Sequence, residues 1–181
     1  MRIPAIFLFL LVFAWGCEQS SPEGSTVYTG KSATYSIIGG TFFGVQTSGE
    51  INVRERTDQS VEITVSLSGT NGEHPVHLHY DDLLADGGVA AVLNPVKPVE
   101  DNLARSVTIV SYVQNKEAGK GEELLSFADF QQMNGCIRIH QEKDGQFKDY
   151  MIGAANIGVN ENPENVTANS INTTRCNSNL P

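Results

Sequence analysis

Apolar and polar residues alternate with a period of two through most of the middle of the chain. Glu50-Ile51-Asn52-Val53-Arg54-Glu55-Arg56 and Val61-Glu62-Ile63-Thr64-Val65-Ser66-Leu67-Ser68 each place their apolar side chains on one face of an extended segment. Thr57-Asp58-Gln59-Ser60 reads as the turn between them, and Gly69-Thr70-Asn71-Gly72 as the turn that follows. Alternating segments joined by short turns predict an antiparallel sheet. Residues 34–38 and 42–45 are apolar, β-branched or aromatic on either side of Gly39-Gly40, and residues 105–113 form a further strand candidate. Cys136-Ile137-Arg138-Ile139-His140-Gln141 sets Ile137 and Ile139 on one face and Arg138 and His140 on the other, and residues 147–157 close the set. Breaks are expected at Asn94-Pro95 and Lys97-Pro98, a turn at Asn134-Gly135, and a short helix or turn within residues 122–130. The pattern as a whole predicts one all-β domain over residues 27–158, without internal repeats.

The ends have a different character. Met1-Arg2 precedes the apolar run Ile6-Phe7-Leu8-Phe9-Leu10-Leu11-Val12-Phe13, which is too short to span a bilayer but suits the core of a signal peptide. Ala14-Trp15-Gly16-Cys17 then resembles a bacterial lipobox. On that reading residues 1–16 are a lipoprotein signal peptide and Cys17 is the lipidated first residue of the mature chain. Residues 17–26, rich in Ser, Pro and Gly, form a flexible tether. The expected location is the bacterial cell envelope, with the lipid at Cys17 anchoring the protein to a membrane. Residues 159–181 are rich in Asn, Thr and Ser and read as a mobile C-terminal tail.

Charge narrows the choice of partner. The formal net charge is −9, and loss of Arg2 with the leader leaves about −10, which excludes nucleic acid as a partner. Beyond Cys17 only Cys136 and Cys176 remain, and in an exported chain they predict one disulfide, Cys136–Cys176, with two unpaired thiols as the alternative.

The candidate chemistry is concentrated in one stretch. Three of the four histidines lie in His74-Pro75-Val76-His77-Leu78-His79. Neutral imidazole suits copper, zinc, iron or nickel. On a strand His77 and His79 share one face, while Val76, Leu78 and Tyr80 face the other way, toward a core. The alternative is a pair of solvated surface histidines.

Residues 60–82, and above all Gly69-Thr70-Asn71-Gly72-Glu73-His74-Pro75-Val76-His77-Leu78-His79, resemble the copper-site strand of the copper/zinc superoxide dismutases. Gly135-Cys136-Ile137-Arg138-Ile139-His140 is similar to that family's late strand, and Ala155-Asn156-Ile157-Gly158 to its last. The resemblance covers residues 45–158. It implies a Greek-key β-barrel or sandwich of that type, with His77, His79 and His140 as ligands of one copper ion and superoxide as the partner molecule. It also implies that His74 braces a neighbouring loop. The family's bridging histidine falls on Val92, so its zinc site is missing, and zinc is not expected. Asp81 is a candidate to orient an imidazole from behind. Arg138 shares a face with His140 and reads as a solvated surface side chain. The repeated domain of chordin, which carries a similar H-x-H strand, is a second resemblance. Three functions stay open: a copper site with dismutase or other redox activity, a copper carrier or sequestering module, and a structural β-domain without metal.

Overall fold

A computed structural model describes residues 27–171, apart from Asp86 and Ala118. The expected signal peptide, tether and lipidated Cys17 lie outside the described residues, and so does Cys176 of the expected disulfide. Cys136 is fully buried.

The domain is a closed barrel of eight antiparallel strands. Its strands are β1 (Tyr28–Gly39), β4 (Ser48–Arg56), β5 (Val61–Ser68), β6 (His74–Tyr80), β7 (Val89–Glu100), β8 (Leu103–Val110), β11 (Asn134–His140) and β12 (Met151–Gly158). Two short ribbons, β2 (Thr41–Phe42) with β3 (Val45–Gln46) and β9 (Tyr112–Gln114) with β10 (Glu122–Leu124), lie outside the barrel wall. The order around the barrel is β1-β12-β11-β6-β7-β8-β5-β4. Most neighbours are joined by hairpins, but the chain crosses from β5 to β6 and from β8 to β11 without their pairing. These two crossovers make the topology Greek-key, and they bring β6 beside β11 although some sixty positions separate them in sequence.

The period-two pattern is satisfied literally. Val76 and Leu78 of β6 stand opposite Ile139 and Ile137 of β11, and all four are buried in the main core with Ile51, Ile63 and Leu67. The helix α1 (Phe127–Gln132) adds Phe127 and Phe130 to that core, with Ser126 and Asp129 forming a capping box at its start. A second, smaller cluster lies on the outer face of β11 and β12. There Cys136, Met151 and Ala154 are covered by Leu83 from the loop after β6 and by Ala168 and Ile171 from the C-terminal segment.

Four local expectations are corrected. β7 runs unbroken through Pro95 and Pro98. Pro95 sits in a bulge, where Asn94 and Pro95 together oppose Pro75, so its missing N–H costs no ladder bond. β7 then changes partner and pairs with β8 through Lys97 and Pro98. Asn134-Gly135 opens β11 instead of turning; a Cβ on Gly135 would lie 2.8 Å from the His79 carbonyl oxygen, so the glycine serves close strand approach. The helix starts only at Phe127, because Glu122–Leu124 pair with β9. Residues 159–171 are not a detached tail. Asn162 Nδ2 donates to the Ser36 carbonyl at 2.6 Å, Asn156 Nδ2 to the Glu161 carbonyl at 2.7 Å, and Ala168 and Ile171 are buried.

Candidate metal centre

His77, His79 and His140 stand on the outer face of β6 and β11, opposite the core. The parity of the strands puts them there: Val76, Leu78, Ile137 and Ile139 claim the inner face, so the alternate positions must turn outward. One ring nitrogen from each imidazole lies within 4.8 Å of the other two. The ring centroids of His77 and His140 are 4.9 Å apart, and those of His77 and His79 are 5.8 Å apart.

This outer face is roofed. His79 and His140 are 0% and 1% exposed, whereas His77 is half-buried. Two loops supply the cover, and each buttresses one imidazole with a backbone carbonyl. His79 Nδ1 lies 3.0 Å from the Gly87 oxygen, in the loop after β6. His140 Nδ1 lies 3.0 Å from the Lys148 oxygen, in the loop before β12. A carbonyl only accepts, so each Nδ1 carries the proton and each Nε2 keeps its lone pair. His79 Nε2 and His77 Nδ1 are buried without a hydrogen-bond partner among the described residues.

All three rings are held neutral. Burial is the largest cause for each. It lowers His77, takes His79 down to about 3 and His140 down to about 4, with the nearby positive charge of Arg138 acting in the same direction on the last two. The centre is therefore three imidazoles whose positive charge is disfavoured by burial, with the lone pairs of His79 and His140 on Nε2. That donor set suits a borderline transition metal.

His74 lies apart from the cluster. It is buried; its Nδ1 donates to the Gln141 carbonyl at 2.9 Å, and the Thr70 hydroxyl donates to its Nε2 at 2.5 Å. It thus ties the turn before β6 to the loop after β11. Asp81 does not orient an imidazole. Its carboxylate faces Lys116 at 2.7 Å and Asn134 Nδ2 at 3.4 Å, and backbone carbonyls do the orienting. Arg138 is not a solvated side chain either. It is 1% exposed, stands directly across from His77, and donates to the Ala85 carbonyl at 2.8 Å and the Cys136 sulfur at 3.4 Å. Parity placed it correctly; the loop that covers it is what sequence patterning missed. Gly87 was legible only as loop, yet a Cβ there would come within 1.6 Å of the Tyr80 oxygen.

No family model, no curated protein and no solved structure matches the chain.

Proposed function

We propose that His77, His79 and His140 hold one copper ion, and that the protein is an exported redox site that dismutates superoxide while anchored to the cell envelope through lipid at Cys17. One observation supports the reading: two buried imidazole nitrogens, His77 Nδ1 and His79 Nε2, have no hydrogen-bond partner among the described residues, and these two histidines cluster with a third. A buried polar atom left bare is costly, and a metal ion removes that cost. Copper is preferred over zinc by a neutral imidazole donor set under the Irving–Williams order. Three protein ligands leave a coordination position open, as a reactive centre requires. Bound copper supplies a one-electron couple, by which two superoxide anions and two protons become dioxygen and hydrogen peroxide.

The chain's own contribution is preorganisation. The Gly87 and Lys148 carbonyls hold the protons of His79 and His140 on Nδ1, so the lone pair of each ring sits on Nε2. Because the rings are already neutral, no proton has to leave them at neutral pH when metal enters. Val92 lies on β7 directly opposite His77 of β6, and it supplies no ligand where the superoxide dismutase resemblance has its bridging histidine. Only one group of metal-binding side chains occurs among the described residues, which is why a single ion is proposed.

Loading the purified protein with Cu(II), followed by measurement of stoichiometry and superoxide removal, tests this. One equivalent retained with a rate above that of free copper is the expected result. Retention without such a rate reduces the function to a copper carrier. Failure to retain copper overturns the proposal and leaves a structural β-domain.

A further inference from the structure

We infer that the cleft beside His77 is a binding site for a small organic carboxylate with a compact apolar body. The cleft has a volume of about 460 Å³ and lies between β6, the start of β7 and the loop after β11. That volume falls in the range of small-molecule sites and far exceeds what a diatomic anion fills.

The walls define the body of the ligand. They are built from Pro75, Val92 and Pro95, with the ring of His77 among them, and core residues Val76 and Leu93 form the floor. Pro75 and Pro95 face each other across the β6–β7 bulge and have no N–H to donate. The wall therefore recognises shape and apolar area, not hydrogen-bonding groups. Val92 is 51% exposed, leaving its side chain in water directly opposite His77. Covering it gains free energy in proportion to the area removed.

The rim defines the charge. Two ionisable side chains other than His77 line the cleft, Glu73 and Lys143. Glu73 is engaged by Lys97 at 3.4 Å in an exposed ion pair. Lys143 forms no ion pair among the described residues. An unpaired cation at the mouth of an apolar cleft favours an anionic end group on an apolar ligand through its local field, although the chain's net charge of −9 opposes anions at long range.

The site does not need metal. His77 borders the cleft while its Nδ1 is turned away into the cluster, so a ligand in the cleft packs on the ring and leaves the donor atom alone. The test uses EDTA-treated protein, and its outcome is therefore separable from that of the copper proposal. Benzoate is titrated into the isotope-labelled protein and followed by NMR. The expected result is saturable shifts at the Val92 methyls and the His77 ring. Acetate, with the charge but no body, and benzyl alcohol, with the body but no charge, bind at least tenfold more weakly. Lys143→Gln removes the preference for benzoate over benzyl alcohol. Val92→Asp, a change at an exposed position, abolishes the benzoate shifts without altering the dispersion of the remaining spectrum. Absence of saturable shifts at Val92 and His77, or benzoate binding untouched by both substitutions, overturns the inference.

Discussion

His79 Nδ1 lies 3.0 Å from the carbonyl oxygen of Gly87, eight positions further along the chain. The strand that carries the imidazole thus leads straight into the loop that fixes its tautomer. Gly87 packs so tightly on Tyr80 that any side chain would displace it. Gly87→Ala is expected to shift the loop, release the His79 proton and weaken metal binding by about 10- to 100-fold. Competition with a chelator of known affinity measures this, and far-ultraviolet circular dichroism should show the barrel intact. Unchanged affinity would refute the role of the Gly87 carbonyl.

The three histidines are expected to behave unequally to His74. Alanine at His77, His79 or His140 removes a donor from the cluster, so each should abolish stoichiometric copper retention. His74→Ala should leave stoichiometry at one and instead lower the melting temperature, because it breaks two hydrogen bonds that join the turn before β6 to the loop after β11. A His140→Ala variant that binds as tightly as the parent would remove β11 from the site.

Apo-protein stability should fall with acidification below pH 6.5. Burial lowers His79 to about 3 and His140 to about 4 from an ordinary 6.5. The unfolded chain therefore takes up protons that the folded chain refuses, and stability is lost as pH falls from 6.5 toward those values. Each of these histidines contributes a slope of about 1.4 kcal/mol per pH unit in that window. The carboxylates held low in the fold, Glu55, Asp58 and Glu62, act in the same direction but start from 4.5 or below. Between pH 6.5 and 4.5 the histidines dominate. Urea titrations in EDTA at pH 7.0, 6.0 and 5.0 measure the slope; a flat or rising profile contradicts it.

Arg138 is fully buried and binds the loop that covers His79. Arg138→Met keeps the bulk and removes the donors, leaving the Ala85 carbonyl without this partner. A loss of about 2 kcal/mol or more is expected, with faster amide exchange in residues 83–88 than in β6 or β11. Arg138→Lys should recover part of the loss. Exchange that rises equally in the strands and the loop would mean that Arg138 supports the whole barrel, not the roof of the site.

In the barrel interior, Leu78→Ala leaves a cavity under the histidine strand. Leu78 is 0% exposed, and truncation of such a side chain costs about 2–5 kcal/mol. Because Leu78 lies between His77 and His79 on the opposite face, metal binding should weaken along with stability. Denaturant unfolding with and without copper measures both effects.

The all-β expectation rested on short-range alternation, and the barrel follows that alternation. Val61–Ser68 is a strand with the bounds its alternation predicts. His74–Tyr80 and Asn134–His140 also form strands, with the apolar residues inside and His77, His79 and His140 outside. Errors fell where local preference was overruled. The prolines of β7 were absorbed by a bulge and a change of neighbour, and Asn134-Gly135 serves close packing instead of a turn. Residues 159–171, polar in composition, are held by asparagine side chains reaching backbone carbonyls on β1 and in the segment itself.

By itself, then, the sequence determined the alternating strands, such as β5 and β6, and the face each of their residues takes, because a period of two is a local property of the extended backbone. It named the three imidazoles but left open whether they meet. Only the tertiary structure decided that, by placing β11 against β6 and folding two loops over their outer face. Burial under those loops makes Arg138 a loop anchor and keeps the imidazoles neutral, and the Gly87 and Lys148 carbonyls set the tautomers of His79 and His140. Those contacts join residues far apart in the chain or packed through their backbones, and side-chain periodicity carries no record of them.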